Sequence, residues 1–218
     1  MLAQPQGRVR NLSTGLAARS APIGQAQAPL SLNLCREADM TKYYTGIGSR
    51  ETPEPILALM QSAAYHLAGD GWILRSGCAP GADSAFEYGA WSAHQIDTAI
   101  VPRPELYLPW PKFEGRADEA VTRTEPQQEA YVLAAQFHPA WDRLTPGAKS
   151  LHARNVHQVL GPNVRQPVLS TFVVCWTRDG EGQGGTGQAL RIARHYDVPV
   201  FDLAKTCDRE RIERMLSA

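Results

Sequence analysis

From residue 41 onward, short apolar runs alternate with helix-like stripes, and this alternation constrains the fold more than any other feature. Residues 43–47 and 72–74 have the pattern of strands, and a helical stripe lies between them. Pro53 and Pro55 suit the first turn of that helix, because a missing N–H costs little there. Residues 168–176 are rich in β-branched side chains, as in a central strand buried on both faces. The pattern predicts an α/β fold, a doubly wound parallel sheet of about five or more strands flanked by helices.

The same reading places further strands and helices along the rest of the chain. Strands are expected at 105–108 and 198–203, and helices at 82–94, near 126–137, at 146–160 and at 184–196. No internal repeat is evident.

The composition changes near residue 40. Residues 1–39 are rich in Ala, Gln, Gly, Pro and Ser, and so few large apolar residues predict a disordered tail or upstream extension. Arg8, Arg10 and Arg19 appear with no acid until Glu37, which leaves an organelle transit peptide as an alternative; no apolar stretch typical of a secretory signal is present. Residues 40–218 are expected to form a single domain, and we hypothesise that the functional chain begins at Met40.

Charge and cysteine usage exclude several classes of protein. The chain has 22 Lys plus Arg and 22 Asp plus Glu, which argues against a strongly basic, histone-like nucleic-acid binder but leaves room for a local basic patch. No apolar run reaches about 18 residues, so no membrane helix is expected. The four cysteines include no Cys-x-x-Cys pair, which predicts neither a zinc ribbon nor a disulfide framework. We therefore expect a cytoplasmic protein.

Three glycine-bearing loops, at 46–50, 75–83 and 180–188, each follow a predicted strand and precede a predicted helix. In an open parallel sheet such loops meet at one edge, where ligands bind at the point of strand-order reversal. Glycine lets the backbone approach an anion, and the first N–H groups of a helix point toward it. Hydroxyl and guanidinium groups add donors. Two residues of the predicted helix at 146–160, Arg154 and Asn155, are expected to join these loops. The residues expected to bind phosphates or a base are Gly46, Gly48, Ser49, Arg50, Arg75, Ser76, Gly77, Gly81, Ala82, Asp83, Arg154, Asn155, Gly184, Gly185, Thr186, Gly187 and Gln188.

Other common ligand sites fit the sequence less well. The first loop lacks the third glycine of a dinucleotide fingerprint, and no Gly-Lys-Ser/Thr ending of a P-loop occurs. His152 and His157 are five residues apart, whereas a metal pair on one helix face prefers three or four. Cys78 is as compatible with a small buried residue as with a nucleophile. We expect no metal and no required cofactor, with a nucleotide or nucleoside monophosphate as the possible ligand.

Two carboxylates are the weak candidates for catalysis. Asp83 and Glu87 are four residues apart, so they share one helix face. They could hold sugar hydroxyls or act as a general acid and base, or they could simply favour the positive end of the helix. Residues 151–157 form either a solvated helix face or a lip that contacts phosphates. The sequence alone leaves open both the role of the two carboxylates and the role of residues 151–157.

A family resemblance follows from these motifs. Residues 44–53 (YTGIGSRETP) and 76–83 (SGCAPGAD) resemble the first two strand-to-helix loops of the SLOG superfamily of Rossmann-like proteins, especially of DNA-processing protein A. The Tyr-Leu-Pro at 107–109, the Arg154–Asn155 pair and the glycine-rich loop and helix from 184 also resemble that family. The resemblance implies a Rossmann-like domain that binds single-stranded DNA, helps to load a recombinase and forms homo-oligomers.

A second branch of the superfamily contains enzymes. In the LOG group, which cleaves a base from a nucleoside monophosphate, the late loop ends in a Glu implicated in catalysis. Aligning the Gly-Thr of that motif with Gly185–Thr186 places Ala189 where the Glu should be. We therefore expect a non-enzymatic binder of single-stranded DNA or a nucleotide. The alternatives are an N-glycosidic or phosphoester hydrolase using Asp83 and Glu87, and a nucleotide-signal sensor that works with a partner protein.

Overall fold

The computed structural model describes residues 41–99, 101–116, 121–178, 180, 182 and 184–217. The predicted tail at 1–39 and the proposed start at Met40 lie outside the described residues. The strands are β1 (Lys42–Gly46), β2 (Trp72–Ser76), β3 (Glu105–Tyr107), β4 (Val121–Arg123), β5 (Phe172–Cys175) and β6 (Val200–Asp202). The α-helices are α1 (Glu54–Gly69), α2 (Ala82–Ile96), α3 (Gln128–Gln136), α4 (Pro146–Leu160), α5 (Gly184–His195) and α6 (Thr206–Leu216), and short 3₁₀ helices span Phe113–Gly115 and Trp141–Arg143.

The strands form one sheet in the order β4-β3-β2-β1-β5-β6, and every pair of neighbours is parallel. The chain builds outward from β1 through β2, β3 and β4, and then returns to place β5 and β6 on the other side of β1. Strand order therefore reverses between β1 and β5. The prediction of a doubly wound, Rossmann-like α/β fold is confirmed, with six strands in the described part of the chain.

Helices cover both faces of the sheet. Successive residues of a strand point to opposite faces, and β5 shows this with two adjacent valines. Val174 packs in the layer formed by α1, α2 and α6, which includes Phe86 and Ile212. Val173 packs in the opposite layer with α3, α4 and α5, which includes Val156 and Ile192. The part of the β-branched run that forms β5 is buried on both faces as predicted, but Val168 and Leu169 at its start are exposed and the strand is shorter than 168–176.

Among the strands and α-helices, β4 and α6 were absent from the sequence prediction. Among the described residues, no helix has both the length and the apolar character needed to cross a membrane.

Candidate functional site

A cleft of about 650 Å³ opens beyond the carboxyl ends of β1 and β5, at the reversal of strand order. Its walls are the loop after β1 (residues 47–51), Ala79 and Asp83 from the loop and helix after β2, Thr177 and Arg178 after β5, and the first turn of α5. Thus all three glycine-bearing loops contribute to one cleft.

One face of α4 completes the cleft. Ala148, Leu151, His152 and Asn155 follow the spacing that keeps side chains on the same side of a helix, and all four line the cleft. The helix begins where its sequence predicts: the Thr145 hydroxyl oxygen accepts a hydrogen bond from the Ala148 N–H at 3.3 Å, and Pro146 occupies the first turn. Within 151–157, Leu151, His152, Arg154 and Asn155 therefore line the site, whereas Ala153 and Val156 pack in the core, and the stretch is not a solvated face.

We call the buried polar side chains of α2 and α4 that line the cleft the floor: Asp83, His152, Arg154, Asn155 and Gln158, each at most 8% exposed. Arg154 Nη1 donates to Asp83 Oδ2 at 3.0 Å. The backbone N–H groups of Gly48 and Ala79 also point at the Asp83 carboxylate. Burial raises the pKa of Asp83, and Arg154 and these N–H groups oppose that rise. Asp83 thereby joins two loops to α4.

Two glycines in the second loop are required by this packing. A Cβ at Gly77 would fall 1.1 Å from Arg154 Nη1, so only a glycine leaves room for the guanidinium. Gly81 has φ of +87°, and a Cβ there would lie 2.8 Å from the carbonyl oxygen of Ser49. The sequence assigned both glycines to ligand approach, whereas in the structure they make room for other parts of the protein.

Amide side chains link α4 to α5. Asn155 Nδ2 donates to the Gly185 carbonyl oxygen at 3.1 Å and to Gln188 Oε1 at 3.2 Å. In the orientation assigned from its neighbours, Gln158 donates to Asn155 Oδ1 at 3.0 Å and accepts from the Gly77 N–H at 2.9 Å. Four of the five floor residues, Asp83, Arg154, Asn155 and Gln158, therefore form a connected hydrogen-bonded network.

Three buried polar atoms in or beside the floor have no hydrogen-bond partner among the described residues: His152 Nδ1, Arg154 Nε and Gln188 Nε2. Burial, followed by the nearby His138, lowers the pKa of His152 to about 4, and the adjacent Gln188 side chain opposes the shift. The imidazole is therefore neutral near pH 7. All three atoms lie beneath the surface of the cleft, and the Gln188 side chain lies within hydrogen-bonding reach of the His152 ring.

We call the exposed ion pairs at the mouth of the cleft the rim: Arg50 with Glu114, and Arg178 with Glu51. Arg50 Nη2 lies 3.3 Å from Glu114 Oε1, and the two side chains are 59% and 40% exposed. Arg178 and Glu51 are also paired and are more exposed still. Each rim guanidinium thus already has a carboxylate beside it.

The first turn of α5 faces the same cleft through Gly184, Gly185 and Thr186. The first N–H groups of a helix lack partners within the helix and carry its partial positive charge. The Thr186 hydroxyl adds a donor. This end of the cleft is suited to an anion.

Not every residue expected in the site reaches it. The expected residues that line the cleft are Gly48, Ser49, Arg50, Asp83, Arg154, Asn155, Gly184, Gly185 and Thr186. The expected residues that lie behind the wall or away from it are Gly46, Arg75, Ser76, Gly77, Gly81, Ala82, Gly187 and Gln188. Ser76, for example, donates to the Gly46 carbonyl oxygen at 2.8 Å and so joins two strands.

Arg75 is the main departure from the expected site. Its side chain is fully buried, and its Nε donates to Glu105 Oε2 at 2.7 Å while Nη1 donates to the Val168 carbonyl oxygen. The guanidinium also lies 3.8 Å over the ring of Tyr43 and beside Gly161, the residue after α4. Strand geometry directs this side chain beneath the end of α4 instead of into the cleft, so its contacts are internal.

The two candidate catalytic carboxylates do not act as a pair in the cleft. Asp83 lies in the floor, but Glu87 does not line the cleft and forms an ion pair with Arg116. Cys78 is 3% exposed, and burial, with a further contribution from Glu87, raises its pKa to about 12. Its thiol is therefore protonated near pH 7, which favours the buried-residue reading. Among the described residues, no group of three or more His, Cys, Asp or Glu could hold a metal ion.

Several residues of the cleft were not named among the expected site residues. They are Ile47, Glu51, Ala79, Ala148, Leu151, His152, Gln158, Thr177, Arg178 and Ala189. Of these, Ile47 and Ala79 belong to the predicted loops, and Leu151 and His152 to the stretch with a lip as one of its two interpretations. The spacing of the α4 residues was a usable signal, because 148, 151, 152 and 155 repeat as one helix face. Arg178 and Glu51 gave no such signal, since nothing in the sequence joins them.

The fold and the cleft define the chain as a Rossmann-like α/β protein with a polar cleft at the switch point of its sheet. No protein-family model matches the chain, and no curated protein matches it. Among solved structures, the chain is similar to the Moco carrier protein of Chlamydomonas rheinhardtii, with 17% sequence identity and a TM-score of 0.42. That similarity covers 80% of this chain and 84% of the other.

Proposed function

We propose that the cleft binds a small phosphorylated ligand of the nucleotide class. The observation that carries this proposal is the position of the α5 N-terminus, which faces a cleft with a buried polar floor at the reversal of strand order. The cleft volume of about 650 Å³ is within the range of small-molecule sites.

The two ends of the cleft suit the two ends of such a ligand. The N–H groups at Gly184–Thr186 and the Thr186 hydroxyl would hold the phosphate. The floor would hold the polar edge of a sugar or base, because the neutral His152 ring and the Asn155 amide line the cleft there. A ligand that is polar at both ends satisfies both sets of groups.

Binding without turnover is favoured over hydrolysis. The Asp83 carboxylate is occupied by Arg154 and two backbone N–H groups, and Glu51 is paired with Arg178. Ala189 lines the cleft at the position where the LOG motif has its Glu, and an alanine transfers no proton. A hydrolase using Asp83 remains the enzymatic alternative.

Single-stranded DNA is the other candidate ligand, and the resemblance to DNA-processing protein A carries it. The exposed guanidiniums of Arg50 and Arg178 at the mouth of the cleft would meet a phosphate backbone first. The recombinase partner and the homo-oligomer follow from the same resemblance, whereas the sensor role and the cytoplasmic location are separate predictions from the sequence.

Calorimetric titration of the full chain with AMP, GMP, CMP and UMP tests the proposal, with the corresponding nucleosides as phosphate-free controls. We expect at least one monophosphate to bind, and its nucleoside to bind more weakly. Thr186→Val should reduce the affinity by about tenfold to a hundredfold, the effect of one lost hydrogen bond to a charged group. Thr206→Val, at the start of α6 outside the cleft, is the matched control and should leave the affinity unchanged.

Two results would contradict the proposal. One is the absence of binding by every monophosphate. The other is salt-sensitive binding of labelled oligothymidylate with which no monophosphate competes, a result that would favour the DNA reading. Chromatography of incubated nucleotide completes the set: release of free base, lost in Asp83→Asn, would favour the hydrolase.

A further inference from the structure

We propose that Glu51 and Glu114 are specificity residues of the cleft, which restrict the ligand to one with a single terminal phosphate and disfavour polyphosphates and nucleic-acid strands. This inference rests on the proposed function. It starts from the observation that each cation at the mouth of the cleft is already paired with a carboxylate of the protein.

The position of Glu114 is held by its surroundings. It lies in the 3₁₀ helix Phe113–Gly115, 64 residues from Arg50 along the chain. Phe113 is 4% exposed and packs in a small apolar cluster with Leu106 and Leu108. Lys112 and Glu114 both adopt positive φ, 61° and 51°, a conformation that costs free energy in non-glycine residues. The anchored, strained turn thus delivers a carboxylate to Arg50.

Glu51 reaches the cleft directly. It lines the cleft, and its backbone N–H donates to the Ser49 hydroxyl oxygen at 3.1 Å, which fixes the turn after β1. Its carboxylate pairs with Arg178 from the loop after β5. The pair therefore spans the mouth of the cleft between the two strands at the switch point.

The charges of the described floor and rim cancel. Arg50, Arg154 and Arg178 face Glu114, Asp83 and Glu51 in that order. A single phosphate can rely on neutral donors, namely the α5 N–H groups and hydroxyls. A second phosphate that extends to the rim lies beside Glu51 in the cleft wall, or beside the Arg50–Glu114 pair, where it must displace Glu114 to reach the guanidinium. Like charges placed together in this way disfavour the wrong ligand, which is how specificity is commonly achieved.

The test compares the nucleoside monophosphate that binds best with its own triphosphate, by calorimetry at low salt with EDTA present. The proteins are the full chain, Glu51→Gln, Glu114→Gln and the double variant. Glu213→Gln removes one exposed carboxylate from α6, which contributes nothing to the cleft lining, and serves as the control. The measured quantity is the ratio of the two dissociation constants.

We expect the unmodified chain to prefer the monophosphate and the double variant to lower that preference by about tenfold, with each single variant giving a part of the change. Added salt should shrink the difference, because the rim is exposed. The control should leave the ratio unchanged. If monophosphate binds but the ratio is the same in the double variant, or if the unmodified chain prefers the triphosphate, this inference fails and the proposed function stands. If no phosphorylated ligand binds, the proposed function fails and this inference fails with it.

Discussion

The floor and the rim of the cleft use the same chemical pair, a guanidinium with a carboxylate, in two different environments. In the floor, the side chains of Arg154 and Asp83 are 6% and 5% exposed. In the rim, Arg50 and Glu114 are 59% and 40% exposed. Water and salt screen the rim pairs, whereas the floor pair is screened by neither.

Because of this difference in exposure, the floor pair contributes mainly to stability and the rim pairs mainly to ligand selectivity. Removing one partner of a buried ion pair leaves an uncompensated charge in the interior, which is strongly destabilising. Breaking an exposed pair costs little, because both groups return to water. The floor therefore fixes the shape of the cleft, and the rim can set its ligand preference at little expense to the fold.

The largest expected loss of stability comes from a substitution in the floor. Asp83→Ala leaves Arg154 buried without its carboxylate and removes the acceptor for the Gly48 and Ala79 N–H groups. We expect the free energy of unfolding to fall by about 3–5 kcal/mol, measured by urea denaturation at neutral pH. Asp83→Asn keeps an acceptor oxygen and should lose less. A loss below about 1 kcal/mol in Asp83→Ala, the size typical of an exposed pair, would show that the floor is not structural.

An effect of intermediate size on the free energy of unfolding is expected from His152 at acidic pH. Burial lowers the pKa of the folded imidazole to about 4, below its ordinary value of about 6.5. The unfolded chain therefore takes up a proton between these values and the folded chain does not. Stability from this group is present above pH 6.5 and is lost as the pH falls toward about 4, with a slope of at most about 1.4 kcal/mol per pH unit.

Urea denaturation between pH 4 and 7, together with an NMR titration of the imidazole, measures this effect. His152→Gln cannot titrate, so its stability should fall less steeply in acid. Burial also lowers the pKa of His157 to about 4, but that residue is common to both proteins and its contribution cancels in the comparison. Equal slopes in the two proteins would contradict burial of a neutral His152.

Much of the fold could be predicted, because local signals agreed with tertiary packing. The prediction of 146–160 for α4 matches the structure, since Thr145 and Pro146 mark its start and its apolar face is buried. The run at 168–176 gave too long a strand, because the Val168 and Ser170 N–H groups bond back to the end of α4. Strand β4 is three residues long, and α6 buries only Ile212 among its described side chains, so neither has a clear apolar pattern.

The site was less predictable, because it depends on the directions of long side chains. The loops were found, since strand-to-helix glycines meet at one sheet edge. Arg75 and Arg154 both carried the expectation of a phosphate contact, yet only Arg154 faces the cleft. Arg154 contacts Asp83 from 71 residues away in sequence, and the partner of a buried arginine follows from packing that no local spacing encodes. Gly77 shows the same limit, because its role is to make room for that arginine.

The smallest expected effect on stability is at the rim, and it sharpens the comparison with the floor. Arg50→Ala breaks the exposed pair with Glu114, and both ends of that pair are solvated. We expect the free energy of unfolding to change by less than about 1 kcal/mol in the same urea series. Glu114→Gln breaks the pair from the other side and should give an equally small change. A loss in Arg50→Ala that approaches the loss in Asp83→Ala would mean that the turn carrying Glu114 depends on this contact. The rim would then be part of the structural frame of the cleft, and its residues could not be varied for ligand preference alone.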